Sequence, residues 1–435
     1  MDVFRIIGGK PLKGTIEVSG SKNTASKLMV ASLLTPEVVT IKNVPRQSET
    51  ALTFDMLTHV GVTTNWEDAH TLRLQASNVN VDAFKTIENK NRIGILLLAP
   101  FLHRTGEAFV PVAKGGDKIG KRSVDFHIEI FRRMGVVIEE TAEGYRASIK
   151  GRLSGAKIEL PYPSVGATET ALLAGVLASG RTIIHNAAQE PEVLQLIMML
   201  QKMGAIVQTN AGRMIEIIGV ESLRGCEMTV IPDRLEAASY ASMALATHGE
   251  IFVKGAVHEQ MMTYLNMVRK IGGQYEVHDD GILFSSSGNL KGIELETDTH
   301  PGFMSDWQQP FLVVLTQANG TSVVHETVYE NRLGYTKVLQ QMGADITLSS
   351  TCLGETSCRF KGENFSHSAL IKGPSRLKGL PMHVPDIRAG LALVVAALTA
   401  EGESTLTGID HLDRGYERLE EKLLSVGADV KRMTQ

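Results

Sequence analysis

One short phrase recurs six times along these 435 residues. An apolar residue, a glycine and a small or apolar residue close an amphipathic stretch and open an apolar-rich run at Gly61, Gly135, Gly204, Gly272, Gly343 and Gly427. The intervals run from 68 residues (Gly204 to Gly272) to 84 (Gly343 to Gly427). A second phrase keeps step with it: an Ala/Leu-rich stretch, a turn glycine and an extended apolar segment, at Gly106, Gly180, Gly249, Gly320 and Gly402. Residues 34–44 supply a glycine-free sixth version. One such phrase is an ordinary helix end, but six in register make a repeat, and a repeat constrains the fold more than any single motif does.

Each unit reads helix, Gly cap, strand, linker, helix, Gly turn, strand. The pattern predicts a helix over Tyr416–Val426, where Tyr416, Leu419, Leu423 and Val426 share a face and Gly427 supplies the left-handed stop. Val124, Ile128, Phe131 and Met134 repeat the pattern before Gly135. A period of about 70 residues exceeds that of ordinary solenoids, so six βαβ-like units in two groups of three are expected. The extended run from Cys226 to Ile231, followed by Pro232-Asp233-Arg234, marks the crossing point. Two similar lobes leave a cleft, where small-molecule sites preferentially lie.

Composition narrows the partners. Lys+Arg 44 against Asp+Glu 48 gives a net charge of −4 with no long like-charge block, a poor footprint for nucleic acid. Any bound anion therefore needs a local cationic cluster. Cys226, Cys352 and Cys358 are odd in number and lack CxxC spacing, which argues against a disulfide framework or a zinc site and fits a reducing compartment. The longest near-apolar stretch, Ala389 to Ala400, is far short of a bilayer span, and the start of the chain lacks an apolar leader. A soluble cytoplasmic protein is expected.

Arginines recur where the repeat predicts helix starts: Lys121-Arg122, Asn331-Arg332 and Asp413-Arg414-Gly415-Tyr416. The helix dipole disfavours a cation there, so the recurrence calls for an anion to be held. One such arginine alone is a solvated surface residue; several, with Lys22 and Arg388, point to a polyanion site. Ser19-Gly20-Ser21-Lys22-Asn23 joins a strand-like Thr15–Val18 to a helical Thr24–Leu34. It places a lysine at the mouth of a turn but lacks the spacing of a Walker A loop.

Seven motifs, in order, carry a resemblance. They are Ser21-Lys22-Asn23; Lys114 to Arg122 with Val124-Asp125-Phe126-His127; Ser164-Val165-Gly166-Ala167-Thr168; His300 to Asp306; Glu330-Asn331-Arg332; Asp386-Ile387-Arg388-Ala389; and Asp413 to Arg418. Together they resemble the UDP-N-acetylglucosamine enolpyruvyl transferases over essentially the whole chain. The resemblance implies an α/β (α+β) fold of two inverse α/β-prism domains, each of three βαβ-type repeats, with the active site in the inter-domain cleft. Residues 22–231 would form the domain carrying the Gly115-Gly116-Asp117 loop, and residues 1–21 with 232–435 the second.

The implied reaction moves the enolpyruvyl group of phosphoenolpyruvate to the 3′-hydroxyl of UDP-N-acetylglucosamine and releases phosphate, the first committed step of peptidoglycan precursor synthesis. No cofactor, metal, nucleic acid or membrane is implied, and the oligomeric state is left open. By position, Lys22, Arg122 and Arg414 would grip the phosphate and carboxylate, with Arg92, Arg332 and Arg388 shaping the anionic site. Asp306 would be the base at the sugar hydroxyl. Asn23, Asp125, Tyr162, Ser164, Val165, Gly166 and Val328 would line the UDP-sugar pocket. Fixed guanidinium forks suit a departing phosphate, and a carboxylate beside cations suits proton removal. His127 and His300 are read as structural.

Asp117 stands where most members carry a cysteine, and no cysteine precedes Cys226 to replace it. As a proton donor Asp117 must be protonated, whereas neighbouring Lys118, Lys121 and Arg122 favour its carboxylate. The resemblance implies resistance to fosfomycin, the epoxide that alkylates that cysteine. Tyr162 replaces a common diphosphate-contacting lysine, and Ser123 a common proline. Two alternatives stand beside this reading: the same chemistry on another nucleotide or on shikimate 3-phosphate, and a non-catalytic UDP-sugar-binding paralogue. Asn23 favours the UDP-sugar branch over a Ser-Lys-Ser pattern.

Overall fold

The computed structural model describes residues 2–114, 124–356, 358 and 362–434. They fall into two compact units, one of residues 20–114 and 124–231 (the N-terminal unit) and one of residues 2–19 with the described residues from 232 onward (the C-terminal unit). Strand pairing explains the exchange of the chain's start. Asp2–Ile7 pairs antiparallel with both Glu403–Thr407 and Asp429–Thr434, and Lys13–Glu17 pairs parallel with Glu250–Lys254. Glu227–Thr229 in turn closes the N-terminal unit by pairing parallel with Val38–Lys42.

The N-terminal unit contains α1 (Lys22–Ala31), α2 (Ser48–His59), α3 (Leu98–Thr105, after a 3₁₀ segment Arg92–Leu97), α4 (Asp125–Arg133), α5 (Val165–Gly175) and α6 (Pro191–Lys202). The C-terminal unit contains α7 (Arg234–Ala246), α8 (Met262–Lys270), α9 (Ser305–Thr316), α10 (Thr336–Gln341), α11 (Ile387–Thr399), α12 (Asp410–Asp413) and α13 (Leu419–Ser425). The helices alternate in character. α7 is buried along its whole length, α9 everywhere but Asp306, and α11 from Ile387 to Leu398. These three pack on one another as an apolar inner bundle, and α5 is likewise buried from Ala167 to Gly175. The intervening α2, α4, α6, α8, α10 and α13 have one buried stripe each and run into the repeat glycines, Gly61 through Gly427, all of which have positive φ.

Among the described residues six small sheets complete the repeats, three in each unit. Their strands alternate in burial as one-sided sheets must: in Glu250–Lys254, Ile251 and Val253 are fully buried while Glu250 and Lys254 face water. Each such aliphatic side chain contributes about 2 kcal/mol by leaving water. The apolar core divides with the units, one cluster drawn from residues 25–230 and the other from residues 4–18 and 235–430.

Two expectations shift locally. Residues 416–418 are not helical, because Arg418 takes a left-handed conformation (φ 51°) that separates α12 from α13. The second-phrase turn at Gly249 takes its left-handed φ one residue earlier, at His248. No helix among the described residues is long and apolar enough to cross a membrane.

Candidate functional site

The chemistry-bearing residues gather at the heads of the buried helices. A helix start leaves N–H groups without intrahelical acceptors, and side-chain caps answer that need. In the C-terminal unit the caps of α7 and α11 are anionic. Asp233 accepts from the N–H of Leu235 (2.8 Å) and Glu236 (3.2 Å), and Asp386 from those of Arg388 (2.9 Å) and Ala389 (3.0 Å). α9 has no side-chain cap; Asp306 lies in its first turn instead.

The Asp306 carboxylate is held by two guanidinium groups. Arg332 Nη2 donates to Oδ1, and Arg388 Nε donates to Oδ2 at 3.3 Å. Arg388 Nη1 also donates to the Tyr416 hydroxyl (3.0 Å), and Arg332 Nη1 lies 3.9 Å from Asp386. Both arginines are almost buried, at 4% and 5% exposure. Burial opposes their charge, but neighbouring groups outweigh it: the Asp306, Asp386 and Glu326 carboxyl groups for Arg332, and for Arg388 the Tyr416 hydroxyl that accepts from it, with the Asp306 and Asp233 carboxyl groups. Both are held more basic than a solvated arginine. Behind them, buried Glu326 accepts from the N–H of Val328 (2.9 Å) and Tyr329 (3.0 Å) and from the Ser305 hydroxyl (3.0 Å). That carboxylate fixes both the Val328 turn and the start of α9.

A tight turn delivers Asp306 to this place. A Cβ at Gly302 would come within 2.5 Å of Asp298 Cβ and 2.9 Å of the Thr299 carbonyl, so the His300-Pro301-Gly302 bend requires glycine. Phe303 and Trp307 then anchor α9 against Tyr264, with ring centroids 6.0 and 5.6 Å away. Arg234, the first residue of α7, lies 5.6 Å over the Trp307 ring and 3.2 Å from His300 Nδ1.

In the N-terminal unit the caps are neutral. Ser21 accepts from Thr24 N–H (3.3 Å), Asn91 from Ile93 N–H (3.1 Å) and Ser164 from Ala167 N–H (3.3 Å). Immediately after them stand Lys22-Asn23, Arg92 and Val165-Gly166, all half-buried. Gly166 lies close under His127: a Cβ there would come within 3.1 Å of His127 Cε1, so the ring would have to give by a few tenths of an ångström. His127 is bonded to the Thr170 hydroxyl at 2.6 Å; desolvation, with Arg92 adding to it, lowers its pKa to about 4 and keeps it neutral. Deeper in, Lys27 lies 3.8 Å from buried Glu169, whose pKa burial raises to about 7.

A cavity of about 460 Å³ opens beside exposed Asp125, lined by Asp125, Phe126, Glu129 and Ile130 of α4 and by Leu160 and Pro161. Tyr162 follows directly, its carbonyl accepting from Ser164 N–H at 2.7 Å.

The sequence-predicted residues are thus brought together in part. Asp306, Arg332 and Arg388 are in direct contact, with Val328 tied to them through Glu326. Lys22, Asn23, Arg92, Ser164, Val165 and Gly166 occupy helix heads of the other unit. Asp117 and Arg122 lie outside the described residues. The helix-start reading of two arginines is corrected: Arg414 caps the C-terminal end of α12, where the dipole favours a cation, and Arg332 sits in the turn before α10. Sequence reasoning gave no role in the site to Asp233, Arg234, Glu326 or Tyr416. The Asp-Arg pairing in Asp233-Arg234, matched at the corresponding helix head by Asp386 and Arg388, was the available signal. The cysteine spacing that argued against a thiol–metal cluster also did not foresee the fold, which brings ligand atoms of His325, Cys352 and Cys358 within 4.8 Å of one another.

Known proteins place this architecture. The EPSP synthase (3-phosphoshikimate 1-carboxyvinyltransferase) family matches residues 6–423. The UDP-N-acetylglucosamine 1-carboxyvinyltransferase of Protochlamydia amoebophila is 47% identical over 441 residues, covering 99% of this chain and 94% of that protein. Its namesake from Chlamydia trachomatis serovar D is 46% identical over 439 residues, covering 99% and 98%. The crystal structure of the enolpyruvyl transferase NikO from Streptomyces tendae shares the fold, with a TM-score of 0.85 at 23% identity, covering 100% of this chain and 99% of that one. The chain therefore belongs to the enolpyruvyl transferase family that includes EPSP synthase, in the branch of the UDP-N-acetylglucosamine 1-carboxyvinyltransferases.

Proposed function

We propose that this protein transfers the enolpyruvyl group of phosphoenolpyruvate to the 3′-hydroxyl of UDP-N-acetylglucosamine, releasing phosphate and committing the sugar nucleotide to peptidoglycan precursor synthesis. The observation that carries this reading is 46–47% identity, over 99% of the chain, to carboxyvinyltransferases named for that acceptor.

In the proposed chemistry the 3′-oxygen bonds to C2 of phosphoenolpyruvate and its proton passes to Asp306. The methylene carbon takes up a proton, giving a tetrahedral adduct. The bond from C2 to the phosphate oxygen then breaks, and a methyl proton leaves to restore the enol ether. Asp306 suits its part because Arg332 and Arg388 hold both its oxygens, fixing the carboxylate's orientation. Lys22, Arg122 and Arg414 are assigned to the phosphate and carboxylate of phosphoenolpyruvate, and Arg92, Arg332 and Arg388 to the anionic surroundings. Asn23, Asp125, Tyr162, Ser164, Val165, Gly166 and Val328 are assigned to the UDP-sugar, and Asp117 to protonation of the methylene carbon.

Phosphate release from phosphoenolpyruvate, followed with UDP-N-acetylglucosamine and shikimate 3-phosphate in parallel, tests the reading. Release is expected with the UDP-sugar alone. Release only with shikimate 3-phosphate would replace the acceptor, and none with either would leave a binding protein. Fosfomycin is expected to leave the 115–122 peptide unmodified; an adduct mass there would sink the assignment of Asp117.

A further inference from the structure

At one end of a C-terminal-unit sheet three strands come into register. His325, the last residue of Gly320–His325, pairs with Ser368, and Ser368 also pairs with Ser349, the last residue of Asp345–Ser349. The connection from Ser349 to Ser368 carries Cys352, Cys358 and His367. It folds back on the strand ends: the Glu296 carboxylate accepts from the N–H of Glu355 and of Thr356 (2.9 Å), and Leu353 N–H donates to Ser368 Oγ (3.3 Å). Gly354 is squeezed between, since a Cβ there would come within 2.5 Å of Glu296 Oε1 and 2.7 Å of His325 Cδ2.

Three soft or borderline donors meet under this loop, with His367 standing beside one of them. No disulfide joins the two thiols, whose Sγ atoms lie 3.2 Å apart, and Cys352 Sγ lies 3.4 Å from His367 Nε2. Ligand atoms of His325, Cys352 and Cys358 are mutually within 4.8 Å. His325, His367 and Cys358 are buried and Cys352 half-buried. An outer contact orients the His367 imidazole as a metal ligand requires. His367 Nδ1 is 2.7 Å from the Phe365 carbonyl, which can only accept; the proton therefore sits on Nδ1, and Nε2 presents its lone pair toward Cys352. His325 Nδ1 lies 2.9 Å from Ser368 Oγ and its Nε2 donates to the Thr356 carbonyl at 3.3 Å; taking a metal on Nε2 exchanges that bond and moves the proton to Nδ1, against Ser368 Oγ.

We propose that Cys352, Cys358 and His325 hold a zinc ion that clips the 349–368 connection to the strand ends, with His367, drawn in from beside Cys352, completing a tetrahedral shell. Two thiolates and two imidazoles select a thiophilic d¹⁰ cation over magnesium or calcium, which take oxygen ligands. Sulfur ligands about 2.3 Å from a tetrahedral ion stand about 3.8 Å apart, so the thiols need to separate by only about half an ångström. Binding displaces the thiol protons to solvent and leaves the metal's charge balanced by two thiolates. The site is structural, uses none of the residues assigned to enolpyruvyl transfer, and stabilises the fold by closing a long connection.

Full-length protein, reduced, reconstituted with zinc and desalted, should retain one zinc per chain by elemental analysis. Cys226→Ser should retain it, the Cys352→Ser/Cys358→Ser double variant should lose it, and Ser368→Ala should weaken it by about tenfold or more. Cobalt(II) on the wild-type chain should give a thiolate-to-metal charge-transfer band and the intense visible bands of a tetrahedral ion. That measurement decides the matter even if the double variant fails to fold. Zinc retention no greater in wild type than in the folded double variant, absence of the thiolate–cobalt band, or a Cys352–Cys358 disulfide that persists with reductant and zinc would each overturn the proposal.

Discussion

The two units build the same arrangement of buried helices and dress its heads with opposite electrostatics. In the N-terminal unit the caps Ser21, Asn91 and Ser164 are neutral and the residues that follow include Lys22 and Arg92, so the helix heads and the side chains beside them are positive together. In the C-terminal unit Asp233 and Asp386 cap the helices and Asp306 stands in the first turn of the third, each accompanied by a buried arginine. One set of heads favours an incoming anion; the other holds a carboxylate in place between cations. The contrast shows how a repeated scaffold divides labour: the backbone supplies the same dipoles, and one or two residues per head decide whether they attract a substrate charge or neutralise an internal one.

The largest expected effect tests the second half of that contrast. Asp306→Asn keeps the shape and removes the charge, and turnover should fall by about 10²- to 10⁴-fold, the range of a lost general base, while UDP-sugar binding measured by calorimetry persists. Near-normal turnover would remove Asp306 from the role of base.

Arg332→Met should separate the units by stability. Deleting a 4% exposed guanidinium leaves Asp306 and Asp386 short of a partner, and about 3–5 kcal/mol should be lost in urea unfolding. The matching change at a half-buried head, Arg92→Met, should cost about 1 kcal/mol or less and show chiefly as weaker phosphoenolpyruvate binding. Equal stability losses would mean that the two heads do not differ in kind.

Much of this was legible in the sequence, for a physical reason. Caps, left-handed stops and amphipathic stripes are local requirements, so the sixfold period located the glycines from Gly61 to Gly427, while the helix head at Ser164-Val165-Gly166 was legible only through the family resemblance. Charges that act through tertiary neighbours were harder. Arg414 looked like a helix start, yet the left-handed Arg418 ends the helical run and leaves it at a C-terminus. Glu326 and Tyr416 matter only because Arg332 and Arg388 reach them from other elements. The Cys352, Cys358 and His325 cluster was illegible by spacing, because strand register, not sequence distance, brings its parts together.

Acidity sharpens the comparison from the N-terminal side. Glu169, raised by burial from 4.5 to about 7 despite Lys27, holds its proton more tightly when folded, so its contribution is full below about pH 4.5 and fades as pH rises through about 7. His127, lowered by burial from 6.5 to about 4, acts in the opposite sense: the fold loses stability as pH falls from about 6.5 to about 4. The two slopes oppose each other between about pH 4.5 and 6.5. Relative to wild type, Glu169→Gln should gain about 2–3 kcal/mol between pH 4.5 and 7, and His127→Asn a similar amount between pH 6.5 and 4. Thermal melts of both variants across that range check the signs, and a variant that tracks wild type at every pH would show that its group does not titrate on unfolding.

The smallest effects should be the same in both units, because they come from the repeat and not from its dressing. Gly204 and Gly427 end corresponding outer helices with φ of 104° and 82°, and a Cβ at either would meet nothing within 4 Å. Alanine at these places therefore adds no clash, and its cost is the left-handed backbone alone, about 1–2 kcal/mol. Gly204→Ala and Gly427→Ala should lower the urea midpoint by similar amounts and leave turnover unchanged. A large difference between them would mean that one of these stops bears on its unit's packing as well as on its chain direction, and that the two groups of repeats are less equivalent than their period implies.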